Sequence, residues 1–74
     1  MKIAVQLFGP LAEQAGRSRI DVETAGTTVG DVVAALGLKL DPSVRFAVNT
    51  DYAPAGATVR EGDVVSLIPP VGGG

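Results

Sequence analysis

The chain has 74 residues and a formal net charge of −2, and it contains no cysteine and no histidine. This length allows one domain, and the missing residue types exclude disulfides, Cys/His zinc sites, thiol nucleophiles and histidine catalysis. The acidic balance argues against nucleic-acid binding, no apolar run approaches membrane-spanning length, and the lack of cysteine is typical of a cytoplasmic protein.

The first third of the chain predicts two strands joined by a small helix. Gly9 and Pro10 end the first strand, and residues 11–15 predict a helix with Gly16 as its left-handed cap. Because both strands have the two-residue period of a half-buried strand, we expect them to pair. Their alternating apolar residues are Ile3, Val5 and Leu7 in the first strand and Ile20 and Val22 in the second.

The middle of the chain predicts the main helix. Thr28 has the position of an N-cap, and Asp31 replaces the usual Glu of a capping box. Gly37 ends the helix. The residues that share its apolar face are Val29, Val32, Val33 and Leu36.

The last third predicts three more strands. Phe46 and Val48 alternate in the third, which ends at a turn over residues 49–51. Tyr52 is also expected in a turn, and a short fourth strand is expected near Thr58 and Val59. Residues 64–68 are nearly all apolar, which predicts a central strand covered on both sides and parallel to the first. The element order favours an α+β roll, with a mixed sheet covered on one face by one main helix.

Catalytic groups are hard to find in this sequence. Most carboxylates have a structural role that accounts for them without catalysis. Asp31 is expected to cap a helix, two more lie on a solvated strand face, and four others, including Asp51, belong to turns. No serine or threonine has a base to activate it, and we predict no metal site and no bound cofactor. The carboxylates are Glu13, Asp21, Glu23, Asp31, Asp41, Asp51, Glu61 and Asp63.

The chain ends in an unusual segment, Pro69-Pro70-Val71-Gly72-Gly73-Gly74. Glycine loses much backbone entropy on ordering and offers no side chain to pack, so we expect a slim, flexible tail with an unhindered carboxylate. An inert end is the alternative. Phe8, Tyr52 and Ile68 could form an apolar docking patch at the base of this tail, or simply satellite core contacts.

Three stretches and the C-terminus together resemble a known family. The stretches are Phe46-Ala47-Val48-Asn49, Glu61-Gly62-Asp63-Val64-Val65 and Ile68-Pro69-Pro70-Val71, followed by Gly73-Gly74. Because these stretches occur in this order, the chain resembles the small subunit of molybdopterin synthase, a ubiquitin-like sulfur carrier with the β-grasp fold. The resemblance implies a β-grasp domain over residues 1–68 and a sulfur-carrying tail over residues 69–74. One departure is Gly72, where the family more often has Ala or Ser.

The resemblance also implies the chemistry. In the family an adenylating enzyme consumes ATP to activate the terminal carboxylate, here that of Gly74, and a sulfur donor protein converts it into a thiocarboxylate. The large synthase subunit, expected to assemble with the small one as a heterotetramer, then takes the sulfur for a pterin precursor. Gly73 and Gly74 lack Cβ atoms, so the tail can enter a narrow channel.

The implied partner-binding residues are Phe8, Tyr52, Ile68, Pro69, Pro70 and Val71. Three other functions stay open from the sequence. The chain could carry sulfur for thiamine, cysteine or tungsten-cofactor synthesis, it could be a ubiquitin-like modifier joined to proteins through Gly74, or it could be an interaction domain with an inert tail.

Overall fold

Five strands and two helices follow one another in residues 1–70, the part of the chain that the computed structural model describes. The predictions made for Val71, Gly73 and Gly74 lie outside the described residues. The elements are β1 Lys2–Leu7, α1 Pro10–Ala15, β2 Arg19–Glu23, α2 Val29–Leu36, β3 Arg45–Val48, β4 Asp51–Tyr52 and β5 Val64–Ile68.

The strands form one mixed sheet in the order β2-β1-β5-β3-β4. β5 runs parallel to β1, and the other neighbouring pairs are antiparallel. The predictions of a central, parallel last strand and of a β1–β2 pair joined by the small helix are therefore confirmed. This is the β-grasp arrangement that the resemblance implies.

The pairing register divides the strand residues between two faces of the sheet. Directly paired residues share a face, so each face can be followed from strand to strand. The covered face carries Ile3, Val5, Leu7, Ile20, Val22, Phe46, Val48, Asp51, Val65 and Leu67. The open face carries Lys2, Ala4, Gln6, Arg19, Asp21, Glu23, Arg45, Ala47, Tyr52, Val64, Ser66 and Ile68.

The hydrophobic core lies on the covered face, under the helices. Val29 and Val32 of α2 are fully buried, and Leu11 of α1 joins the same cluster. Burial of apolar surface against the helices is the main source of stability in a domain of this size. The core strand residues with 2% exposure or less are Ile3, Val5, Leu7, Val65 and Leu67.

The start of α2 has the predicted capping box. The Thr28 hydroxyl accepts a hydrogen bond from the Asp31 N–H at 3.2 Å, and the Asp31 carboxylate accepts from the Thr28 N–H at 3.1 Å. The hydrogen bond from the Thr28 hydroxyl, followed by those from the N–H groups of Thr28 and Thr27, lowers the pKa of Asp31. At the other end, Gly37 adopts the left-handed conformation with φ of 68°.

The predicted position of the fourth strand is wrong. Thr58 makes only an isolated bridge to Thr28, and the short strand is β4, which contains Tyr52 and Asp51. The reason is the turn before it: Asn49 has φ of 57°, which folds the chain into a tight hairpin that pairs Asp51 with Val48. Asp51 and Tyr52 are therefore strand residues, contrary to the prediction that placed both in a turn.

The prediction that β5 is covered on both sides is right for one side only. Val65 and Leu67 are fully buried on the covered face. On the open face Ser66 is buried, but Val64 and Ile68 are half-buried. The apolar sequence of β5 thus serves the core on one face and leaves apolar surface in reach of solvent on the other.

Candidate docking surface at the end of the central strand

β1 and β5 end side by side, where the chain leaves the sheet toward its C-terminus. Their last paired residues are Leu7 and Leu67. Phe8 and Ile68 follow directly, so both lie next to the exit of the chain. The loop after β1 turns at Gly9, which has φ of 53° and ψ of −129°, a conformation open to glycine but strained for other residues. A Cβ atom at Gly9 would lie 3.9 Å from Cγ of Pro69, so this loop lies against Pro69, the first residue after β5.

A shallow cavity of about 370 Å³ opens on the open face at this end of the sheet. Ala47 and Ser66 are paired neighbours with small side chains that lie nearly buried at its floor. Their small size leaves the space that larger side chains would fill. The lining residues are Phe8, Ala47, Asn49, Thr50, Tyr52, Ser66 and Ile68.

The structure brings the three predicted patch residues together around this cavity. Phe8 is 44% exposed and Tyr52 is 71% exposed, while Ile68 is half-buried between them and the exit. Exposed aromatic side chains next to apolar surface are typical of protein-binding sites, because a partner can remove them from water. That these residues bind a partner stays a prediction.

Asn49 fixes the part of the surface that Tyr52 occupies. Its N–H donates to the Val64 carbonyl at 2.7 Å, and its side-chain oxygen accepts from the Val64 N–H at 3.1 Å. These bonds attach the β3–β4 turn to the start of β5. The hairpin that follows places Tyr52 opposite Ala47, on the open face. A turn residue therefore determines which face the exposed aromatic ring joins.

Four of the cavity residues were not predicted from the sequence. They are Ala47, Asn49, Thr50 and Ser66. Alternation along β3 and β5 could have assigned Ala47 and Ser66 to the open face. Asn49 and Thr50 carry a turn signal, which predicts a hairpin only when the two-residue partner strand is recognised.

The remaining predicted residues lie at the exit. Pro69 is half-buried and Pro70 is exposed. Val71, Gly73 and Gly74 lie outside the described residues. The arrangement provides a surface for contact next to the strand that leads to the C-terminal glycines.

The part of the chain described by the structure shows few features suited to chemistry. Its carboxylates form no cluster of three or more that could hold a metal ion. Asp41 has a lowered pKa because its carboxylate accepts hydrogen bonds from the Ser43 hydroxyl and N–H in a turn. Neither helix within residues 1–70 has the length and apolar character needed to cross a membrane.

Comparison with solved structures finds the same fold over the whole chain. SAMP1 from Haloferax volcanii is 30% identical with a TM-score of 0.86, and the match covers 100% of both chains. A putative molybdopterin converting factor, subunit 1, from Pyrococcus furiosus is 26% identical with a TM-score of 0.81, covering 96% of this chain and 99% of that one. Subunit 1 in a complex of subunits 1 and 2 of molybdopterin-converting factor from Helicobacter pylori is 25% identical with a TM-score of 0.70, covering 100% of both.

The comparison with protein families gives a consistent result. The ThiS family matches residues 5–74, which include the end of β1, the other four strands, both helices and the C-terminal glycines. The shared fold, the match over nearly the whole length and the Gly-Gly end agree with the resemblance drawn from the sequence. The chain belongs to the ThiS family of ubiquitin-like sulfur carriers.

Proposed function

We propose that this protein is the small subunit of a molybdopterin synthase and carries sulfur as a thiocarboxylate on Gly74. One observation carries the proposal: the central strand β5 leads into the C-terminal glycines from a surface where Phe8, Tyr52 and Ile68 surround an open cavity. Two similar solved structures support it: one is called a putative molybdopterin converting factor, subunit 1, and the other comes from a complex of subunits 1 and 2 of molybdopterin-converting factor.

The chemistry begins with a carboxylate that must be activated. A carboxylate is a poor electrophile, because it is a resonance-stabilised anion without a leaving group. An oxygen of the Gly74 carboxylate attacks the α-phosphorus of ATP and pyrophosphate leaves, which gives an acyl-adenylate. Hydrosulfide, supplied by a sulfur donor protein, then attacks the acyl carbon, loses its proton, and AMP leaves, which gives the thiocarboxylate. The adenylating enzyme consumes the ATP, and the carrier itself holds no cofactor.

The sulfur is used in the large subunit. The thiocarboxylate sulfur attacks a carbon of the pterin precursor and displaces an oxygen leaving group from it, which gives a thioester between Gly74 and the pterin. Water then attacks the acyl carbon and the acyl C–S bond breaks, so that the sulfur stays on the pterin and Gly74 regains its carboxylate. The carrier presents the reacting atom while its partner supplies the catalytic groups, as in other group carriers. This division of labour accounts for a chain in which residues 1–70 show no catalytic cluster.

The docking surface positions the tail in the partner. The solved complex of subunits 1 and 2 from Helicobacter pylori supports a partner subunit for this chain as well. We place Phe8, Tyr52 and Ile68 in the contact and Pro69, Pro70 and Val71 at the entrance of the channel. Six extended residues span about 20 Å, which is enough to reach an active site below the partner's surface.

Reconstitution tests this function directly. The protein is prepared with a thiocarboxylate at Gly74 and mixed with the large subunit of its host and the cyclic pterin precursor. We expect molybdopterin to form, and we expect none from the same protein with an ordinary carboxylate. Absence of product, when an established small subunit gives product with the same large subunit, would contradict the molybdopterin assignment. The protein would then be tested with the thiamine, cysteine and tungsten-cofactor pathways.

A second candidate function has its own supporting observation. The 30% identical relative SAMP1 is a small archaeal modifier protein by name. In that function the activated Gly74 acyl group is attacked by a lysine amine of a target protein, AMP or a thiol leaves, and an isopeptide bond forms. Covalent high-mass adducts that contain this chain, found in its host and lost when Gly74 is deleted, would favour the modifier function.

A further inference from the structure

Two arginines stand on the open face on either side of β5, the strand that leads to the exit. Arg45 of β3 is paired directly with Ile68. Arg19 of β2 is paired with Gln6, whose partner in β5 is Ser66 at the cavity floor. Both arginines are exposed. Three strand-to-strand steps separate β2 from β3, so the two positions lie about 14 Å apart across the sheet, with the exit between them.

Neither guanidinium has a partner in the described part of the chain. The side-chain hydrogen bonds within residues 1–70 include none from Arg19 or Arg45. Of the two open-face carboxylates, Asp21 is two residues from Arg19 on the same face of β2, and Glu23 is paired with Lys2 at the opposite end of β1. The half of the open face nearest the exit therefore carries two arginines against the one carboxylate of Asp21, in a chain whose net charge is −2.

Other carboxylates lie near the cavity but not on its open face. Asp51 of β4 is paired with Val48 on the covered face, and Asp63 accepts a hydrogen bond from the side-chain N–H of Asn49 at 3.3 Å. Glu13 belongs to α1, and Asp41 belongs to the turn before β3, where it accepts a hydrogen bond from the Ser43 N–H at 2.8 Å. When a partner covers the cavity, Arg45 and Arg19 lose water at the rim of the contact. An arginine that loses water needs acceptors in return, and a carboxylate matches its planar fork best.

We infer that the partner's docking surface is acidic: an apolar contact that fits the cavity, with carboxylates on two sides that pair with Arg45 and Arg19. The inference rests on the proposed function and specifies the chemistry of the same partner, the large subunit. Charges at the rim of an interface act mainly on the rate of association and on specificity. The expected effect is therefore on how fast the two proteins associate and on how salt changes that rate.

Association kinetics with the host's large subunit test the inference, with Arg45→Glu and Arg60→Glu as a matched pair. Both substitutions change the net charge equally at an exposed site. Arg60 lies at the far end of the sheet, because the nearby Gly62 N–H donates to the Lys2 carbonyl. We expect Arg45→Glu to slow association about tenfold at low salt, with the difference shrinking at high salt, and Arg60→Glu to change it little. Arg19→Glu should act as Arg45→Glu does, and thermal unfolding of each variant verifies the fold.

Each result has a distinct meaning. Equal effects of Arg45→Glu and Arg60→Glu would show that only net charge matters, and they would overturn the inference. Association of Arg45→Glu at the wild-type rate would also overturn it while leaving the proposed function in place. If the wild-type chain does not bind the large subunit at all, the proposed function fails and the inference fails with it.

Discussion

The two faces of the sheet are made by the same strands, yet they differ in every property that matters for binding. Leu67 and Ile68 are consecutive residues of β5: Leu67 is fully buried under the helices, and Ile68 lies beside an open cavity. The covered face holds the fold together, while the open face keeps aromatic and apolar side chains in contact with water. The comparison shows how alternation along a strand lets a short chain separate stability from recognition.

The largest expected effect comes from the adjacent pair in β5. Leu67→Ala should lower the free energy of unfolding by about 3 kcal/mol, because it leaves a cavity in the core. Ile68→Ala should cost clearly less, since its side chain is only half-buried, and should weaken partner binding instead. Chemical denaturation of both variants measures the difference. Equal losses of stability would show that the open face contributes as much to folding as the covered face does.

The next effect is on affinity. Phe8→Ala should weaken binding of the large subunit about 30-fold, which corresponds to about 2 kcal/mol, because exposed aromatic residues are frequent hot spots. Its thermal stability should change little, since the ring is 44% exposed in the free protein. Phe8→Leu, which keeps an apolar side chain, should retain most of the affinity. Unchanged binding by Phe8→Ala in calorimetry would remove Phe8 from the interface.

A smaller effect concerns the helix that covers the core. Thr28→Ala removes the hydroxyl that caps α2 and should cost about 1 kcal/mol of stability. Thr27→Ala is the control, because only the backbone N–H of Thr27 bonds to Asp31, at 3.0 Å. Neither substitution should change partner affinity, since both sites lie away from the open face. Equal stabilities of the two variants would contradict the capping box.

The smallest effect is a dependence of stability on pH. The pKa of Asp31 is lowered in the folded state, chiefly by the Thr28 hydroxyl, so its carboxylate stabilises the fold above its unfolded pKa. That stabilisation is lost as the pH falls through the lower, folded pKa. Asp31→Asn should therefore be less stable than the wild type at neutral pH, and the gap should close well below pH 4 (about the unfolded pKa). A gap that is constant with pH would contradict the role of the charge.

Much of this fold follows from local sequence patterns. Alternating residues such as Val5 and Leu7 reveal strands, and Thr28 with Asp31 and Gly37 marks both ends of α2. β4 was missed because two residues carry no periodic pattern, and its existence depends on the left-handed turn at Asn49. Such a strand is determined by its partner in the sheet, which no local pattern contains.

Only part of the candidate site could be predicted from local sequence patterns. Phe8 follows Leu7 directly, so alternation assigns it to the other face from Ile3, Val5 and Leu7, and Ile68 is the last strand residue before the tail. Both residues lie at the cavity. The place of Tyr52 depends on the hairpin, and that of Arg45 depends on the register between β3 and β5. Register is a property of pairing between distant segments, so it appears only when the strands are assembled.

The central claim is that Gly74 carries sulfur, and intact mass measures it most directly. The untagged protein is incubated with ATP, a sulfur donor and the adenylating enzyme of its host. We predict a mass increase equal to the exchange of one oxygen for one sulfur, and no such increase when Gly74 is deleted. An unchanged mass, with an enzyme shown to be active on another carrier, would contradict the account.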